Sequence, residues 1–384
     1  MYLIEPELEA LAAFRRGLHR RPEVSGEERE TAATIVAALA ETKPDAVMTG
    51  LGGHGVAAVY EGREPGPSVM VRAELDGLPI EEISEIGHRS EVQGKGHLCG
   101  HDGHMTILMA LAKGFAKKRP AKGRAILMFQ PAEENGAGAA AVLADPKFEE
   151  IKPDLVFSLH NFPGLSFGHA ALRSGPVNCA SRGMRISLSG KTAHASTPED
   201  GIAPTFAMAS LLSGLTALGN NGSLDENYTL VTVTHARLGE AAFGISPGYA
   251  EIWATLRTLT DARMADLVAR AEALVEKEAS AGGLKVTIGY EDVFHQCSNA
   301  EVAVAALARA MDEEGVGHDH GEGVLPMKGS EDFGLFGGVA PSAMFFLGAG
   351  ENHARLHNPD YDFPDDLIGI GAKVFMRAIR NELG

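Results

Sequence analysis

Residues 97–107, HLCGHDGHMTI, place His97, Cys99, His101, Asp102 and His104 close together before the sequence turns apolar. Gly96, Gly100 and Gly103 permit the tight turns that bring Cys99 and His101 to one point. Thiolate and imidazole are ligands for a borderline-soft divalent ion. His104 shares a helical face with His101 but sits a turn further in, and the histidines alone fit a helix N-terminus as well as a metal site. A second group, MFQPAEENG, sets Glu133 and Glu134 side by side after an apolar run. Neighbouring side chains in extended or turning backbone diverge, so one carboxylate can bind metal while the other stays a base. Amide hydrolysis needs that division, because a water must lose a proton and the departing amine must gain one. His160 closes FSLHN, and His353 and His357 follow the last apolar run in GENHARLHNPDY.

Other polar residues have plainer readings. His194, in GKTAHASTPEDG, suits a surface loop as well as a site, and His318 and His320, in VGHDHGEG, read as a solvated loop. MKGSEDFG fits turn chemistry as well as function. Cys179 and Cys297 read as packing residues, and Trp253 as core or interface. HExxH, paired CxxC, GxSxG and Walker patterns do not occur in the sequence.

The elements that must position these groups alternate between strands and helices. GVAAVYEG, SVMVRAEL, AILMFQP and LVFSLHN read as strands; a helix is expected from about Met105 to Lys118 and a short one after Gly136. Such alternation predicts an α/β fold with a mostly parallel sheet, whose ligand crevice lies beyond the carboxyl ends of its strands. RAEL, MFQP and FSLH should therefore lead into one site. From Asn178 to Phe294 the order becomes βαββαβ, a ferredoxin-like unit inserted into the first domain. The expected domains are 1–177 with 295–384, and 178–294 as an insert.

With 384 residues and 45% hydrophobic content, two domains can be built. A net charge of −17 disfavours nucleic acid and anionic membrane surfaces and leaves small molecules or peptides as partners. Three dispersed cysteines argue against a disulfide framework and for a reducing, cytoplasmic setting. The beginning of the sequence, with Glu5, Glu7 and Glu9, reads as a helix rather than a secretory segment. No uninterrupted apolar stretch has the length of a membrane span.

The ordered set CGHDGH, FQPAEEN, LH at a strand end, GKTAHASTP, GSEDFG and LHNPDY resembles the M20 metallopeptidase family. The closest branch is the amidohydrolases, among them hippurate hydrolases, aminoacylase-like enzymes and auxin-conjugate hydrolases. The resemblance spans nearly the whole chain, beginning with RRGLHRRPEVSGEE and RAELDGLPI. It implies two divalent ions, zinc or manganese, held by Cys99, His101, Glu134, His160 and His357, with Glu133 as general base and Asp76 orienting the site. His104 has no ligand role in that pattern, and His97 none at all.

The resemblance further implies that His194 stabilises the oxyanion from the inserted domain, usually across a dimer interface, and that Arg257 meets the substrate carboxylate or forms a structural salt bridge. A homodimer or higher homo-oligomer follows. One departure stands out, for Gly244 occupies the place of an asparagine expected near that carboxylate in relatives. The implied activity is hydrolysis of N-acyl amino acids. The alternatives are a dipeptidase or aminopeptidase with the same metals, a hydrolase using Cys99 as nucleophile, and a non-catalytic metal or amino-acid binding protein.

Overall fold

In the computed structural model, which describes residues 3–384, the chain forms two compact units. Unit 1 comprises Met1–Val177, Cys297–Leu325 and Asp332–Gly384; unit 2 comprises Asn178–Gln296 and Pro326–Glu331. Unit 1 begins with α1 (Glu5–His19), α2 (Arg29–Ala40), β1 (Ala46–Leu51), β2 (Gly55–Glu61), β3 (Glu64–Glu74), α3 (His101–Lys117), β4 (Lys122–Gln130), α4 (Gly138–Ala144), β5 (Leu155–Pro163) and β6 (Ala170–Ala171), and the chain leaves it along β7 (Gly175–Asn178). Unit 2 holds β8 (Ala180–Ser189), β9 (Ala193–His194), α5 (Thr205–Thr216), β10 (Thr229–Leu238), β11 (Ile245–Ser246), β12 (Tyr249–Thr258), α6 (Asp261–Ala281) and β13 (Lys285–Phe294). The return to unit 1 runs through β14 (Cys297–Asn299), α7 (Glu301–Glu314), β15 (His318–Asp319), β16 (Ser342–Gly350) and α8 (Leu367–Leu383).

The large sheet of unit 1 has the order β1-β2-β4-β3-β5-β16-β6-β15. Its centre, β4-β3-β5-β16, is parallel, and antiparallel pairs occur toward the edges at β1-β2, β2-β4 and β16-β6. Central parallel strands are covered on both faces, which explains the continuous apolar runs of β4 and β16 and their nearly complete burial.

The helix α3 packs against α1, α8 and β3. It buries Ile107, Leu108, Leu111 and Phe115, each contributing about 1.5–3 kcal/mol by leaving water. It starts at His101, four residues before the expected Met105, because Gly100 sits in the left-handed region at φ 95° and its carbonyl accepts from the Gly103 and His104 N–H groups. The polar run CGHDGH is thus the first turn of a buried helix. Gly103 is required there, since an added Cβ would lie 2.3 Å from the Phe363 ring.

In unit 2 an antiparallel sheet of order β10-β12-β8-β13 packs against α5 and α6. The order β8-α5-β10-β12-α6-β13 and this strand arrangement are ferredoxin-like. Strand β12 alternates buried and less buried residues, as a sheet with one covered face demands. Two boundaries differ from expectation. Unit 2 extends to Gln296 rather than 294, and Pro326–Glu331 belongs to it although sequence order assigns that segment to the first domain. The Cys179 N–H donates to the Gly329 carbonyl, and Asn178 bridges Met327 in parallel; a short backbone ladder recruits the distant segment. No helix among the described residues is long and apolar enough to cross a membrane.

Candidate metal centre

Four segments of unit 1 deliver ligand-type side chains to one place. Cys99 and His101 come from the turn into α3, Glu133 and Glu134 follow β4, His160 lies in β5, and His357 follows β16. Their donor atoms form overlapping groups, Cys99 with His101 and His160, Cys99 with Glu134 and His357, and His101 with Glu133 and Glu134, each within 4.8 Å. The Cys99 Sγ lies 3.4 Å from His160 Nε2, and His101 Nε2 lies 3.8 Å from Glu134 and 4.0 Å from Glu133. His357 Nε2 is 3.6 Å from Glu134.

Hydrogen bonds fix which ring nitrogens face this point. His101 Nδ1 donates to the Asp76 carbonyl at 2.8 Å and His160 Nδ1 to the Asn161 carbonyl at 2.7 Å. Each therefore turns an unprotonated Nε2 inward in its neutral form. His101 Nε2 is buried with no hydrogen-bond partner. An orphaned buried nitrogen facing carboxylates and a thiol fits a cation, and the mixed sulfur, nitrogen and oxygen donors suit divalent ions.

The electrostatics agree. Burial opposes charge on His101, yet the bond to Asp76 and the nearby Glu74 and Glu134 carboxylates push its pKa up to about 10. Burial pushes the Cys99 thiol well above its usual range, and Glu134 and Glu133 push it further. Such a thiol is neutral, not a poised nucleophile; a cation among these groups would reverse both tendencies. Burial and His104 bring the His160 pKa down to about 3, leaving its ring neutral.

The backbone is held in unusual conformations at this site. His357 has φ 66° and Ala132 φ 51°, positions that cost a non-glycine residue energy. The His357 N–H donates to the Leu98 carbonyl at 2.8 Å and the Ala132 N–H to Glu28 at 2.8 Å. Asp76, fully buried, accepts from the Glu134 N–H at 3.0 Å and from Ser25 at 2.7 Å, so it ties together the loops after β3 and β4. Burial alone would raise the Asp76 pKa, but its bonds to His101, Glu134 and Ser25 hold it below the ordinary value.

His104 is occupied on both sides. Its Nδ1 contacts Glu74 at 2.7 Å and its Nε2 accepts the Asn161 N–H at 3.2 Å. That leaves it no lone pair for a metal. His97 is buried with neither ring nitrogen hydrogen-bonded. In unit 2, His194 is exposed on β9, and its Nδ1 accepts the Ser196 N–H at 3.1 Å. Arg257 of β12 bonds the Lys328 carbonyl and Ser330 rather than a carboxylate. Gly244 accepts the Ala195 N–H through its carbonyl. Trp253 is 39% exposed and therefore not core.

Three supporting groups lie outside the sequence expectations. Asp332 of GSEDFG is buried and accepts from Arg72, Gln130 and the Ala139 N–H, so this turn anchors the sheet from below. Arg15 and His19 of α1 grip Asp102 in the first turn of α3, with Arg15 also meeting Asp362 and Asp365. Asn161 Nδ2 donates to the Cys99 carbonyl at 2.7 Å. A signal for the second group was present, because Arg15 and His19 fall on the same helical face as Leu11 and Leu18.

A model of the peptidase family M20/M25/M40 matches residues 70–381. The N-acetyl-L-cysteine deacetylase of Bacillus subtilis is 31% identical over 374 residues, covering 95% of this chain and 86% of the relative. The hippurate hydrolase of Campylobacter jejuni is 30% identical over 365 residues, covering 95% and 94%. A solved Bacillus subtilis structure, described as a dinuclear metal binding peptidase from the M20 family, superposes with a TM-score of 0.82 at 26% identity and covers 99% of both chains.

Proposed function

The chain belongs to peptidase family M20/M25/M40, and from that premise we propose that it is a dinuclear metal-dependent amidohydrolase that removes acyl groups from N-acyl amino acids. The observation that carries the reading is the convergence of Cys99, His101, Glu134, His160 and His357 beside the carboxylate of Glu133. In this reading the first five hold two divalent ions, zinc or manganese. When bound, such ions supply Lewis acidity toward water and the amide carbonyl.

The Glu133 carboxylate takes a proton from the attacking water and returns it to the departing amine nitrogen. Asp76 keeps the His101 and Glu134 segments in register through its buried hydrogen bonds. His194, whose Nδ1 accepts from Ser196, offers an Nε2–H donor to the oxyanion. Unit 2 serves as lid and dimerisation surface, and Arg257 meets the substrate carboxylate. The relatives named for N-acetylcysteine and hippurate favour a small acylated amino acid. The free, buried cysteines suit a cytoplasmic setting.

Replacing Glu133 with glutamine tests the assignment. Turnover should fall by about 10²–10⁴-fold, the usual worth of a positioned acid–base group, while bound metal measured by elemental analysis stays near the wild-type level. An active Glu133→Gln protein, or preference for unblocked dipeptides over N-acyl amino acids, overturns the reading.

A further inference from the structure

Asn161 follows His160 in β5, pairs with Leu347 of β16, and is completely buried. Its amide carries two N–H donors at one end and an acceptor oxygen at the other. The Cys99 carbonyl can only accept, and Asn161 Nδ2 lies 2.7 Å from it, so the nitrogen end faces that carbonyl. Nδ2 also donates to His104 Nε2 at 3.0 Å; that ring nitrogen accepts because Nδ1 carries the proton given to Glu74. Oδ1 is left facing the Tyr361 hydroxyl, which donates to it. The Asn161 backbone takes part as well, since its carbonyl accepts from His160 Nδ1 at 2.7 Å.

Tyr361 is completely buried too and belongs to the loop that carries His357. Its N–H donates to the Asn358 carbonyl at 3.0 Å, closing the turn after His357, and the His353 ring meets it edge-on with centroids 5.4 Å apart. The turn into α3 lies hard against Asn161, for a Cβ added at Gly100 would run into the amide. One side chain thus grips the segment of Cys99 and, through Tyr361, the loop of His357, while its own backbone orients the His160 ring. These are three of the four segments that supply ligands. A buried amide left unpaired at either end is penalised, so the three segments hold one spacing.

We propose that Asn161 and Tyr361 are positioning residues for metal binding, which together set the spacing of Cys99, His160 and His357. They act through those three side chains and not as ligands, because the Asn161 oxygen is taken by Tyr361 and its amide nitrogen has no lone pair to give. The inference rests on the dinuclear metal reading and extends it by naming what holds the ligand segments at a fixed distance. Outer partners of metal ligands are typically worth about 10–100-fold in affinity. Loss of the Tyr361 hydroxyl leaves the Nδ2 bonds in place and belongs at the lower end of that range. Asn161→Asp keeps the side-chain shape but replaces the donor that faces the Cys99 carbonyl with an oxygen, and belongs at the upper end.

The test measures zinc affinity by competition with a chromogenic chelator, and the absorption spectrum of the cobalt(II)-loaded protein, for the full-length wild type, Tyr361→Phe and Asn161→Asp. Circular dichroism checks that each is folded. Zinc should bind about tenfold more weakly to Tyr361→Phe and about a hundredfold more weakly to Asn161→Asp. The thiolate-to-cobalt charge-transfer band, which reports the bond from Cys99, should shift or weaken in both. A merely structural role would lower the urea midpoint of the metal-free protein and leave the affinity and the band of the folded protein unmoved. A folded Tyr361→Phe protein with wild-type affinity and an unaltered band overturns the inference; should that variant not fold, the same result in Asn161→Asp does so. In either case a wild type that binds zinc leaves the metal reading standing. A wild type that binds neither zinc nor cobalt removes that reading, and the inference with it.

Discussion

Replacing Arg72 with methionine removes the cation from a sealed cluster beneath the metal centre. Arg72 Nε donates to Gln130 at 2.9 Å, Nη1 meets Glu74, and Nη2 meets Asp332 at 2.6 Å; all three charged side chains are fully enclosed. Methionine retains much of the apolar stem, so the loss is mainly one of charge. Removing one partner of a buried ion pair costs about 3–5 kcal/mol, because the remaining charge is left in a poor solvent. Three donors soften the effect: Asp332 keeps the Gln130 side-chain amide and the Ala139 N–H, each at 2.8 Å, and Glu74 keeps His104 at 2.7 Å. The expected loss is therefore about 3 kcal/mol, a large part of the roughly 5–15 kcal/mol that holds a typical protein folded.

Urea unfolding followed by circular dichroism should show the midpoint falling by roughly 1–3 M, given slopes of about 1–3 kcal/mol per molar. Adding Glu74→Gln and Asp332→Asn to Arg72→Met removes the stranded charges and should recover part of the loss. A single variant with an unchanged midpoint, or a triple variant no more stable than the single, would refute the argument from buried charge.

Chelation should abolish hydrolysis, and added zinc or manganese should restore it; activity that persists after metal removal, shown by elemental analysis, excludes the metal reading. Gly138→Ala should reduce bound metal and activity together, since the new Cβ would lie 1.6 Å from the Pro131 carbonyl and displace the loop carrying Glu133 and Glu134. Wild-type metal content in that variant counts against the packing argument. His19 resists charge through burial, but Asp102 and Glu82 push its pKa from 6.5 up to about 9. Its protonation thus adds about 3 kcal/mol of stability, present in full below about pH 6.5 and lost as pH rises through about 9. The stability gap between wild type and His19→Asn should shrink over that range; a gap that widens with pH contradicts the assignment.

The order of elements was legible because each run satisfies a simple period. β12 alternates, the run Ala125–Phe129 of β4 is continuously apolar, and both forms follow from how many faces are covered. The gathering of Cys99, Glu134, His160 and His357 was legible because parallel strands end on the same side. The start of α3 was not, because a polar first turn buries well only when distant partners receive it: Asp102 needs Arg15, and His104 needs Glu74. The same limit hid Arg72 and Asp332, an ion pair 260 residues apart in sequence. Local pattern marks Arg72 as anomalous within an apolar strand, but only the folded chain supplies its partner. The placement of Pro326–Glu331 in unit 2 rests on a few backbone bonds that leave no compositional trace.

The position of β16 has a consequence for synthesis. It pairs in parallel with β5, Ser342 opposite Val156, yet it leaves the ribosome only after the whole of Asn178–Gln296 has been made. Until then β5 offers LVFSLHNFP as an open strand edge, a form prone to pairing with other chains. Closing the sheet also requires a loop of nearly two hundred residues, which slows the step more than it weakens the product. A nascent chain therefore waits with a buried strand of its sheet uncovered on one edge, and proteins truncated before Ser342 should aggregate rather than persist as a smaller enzyme.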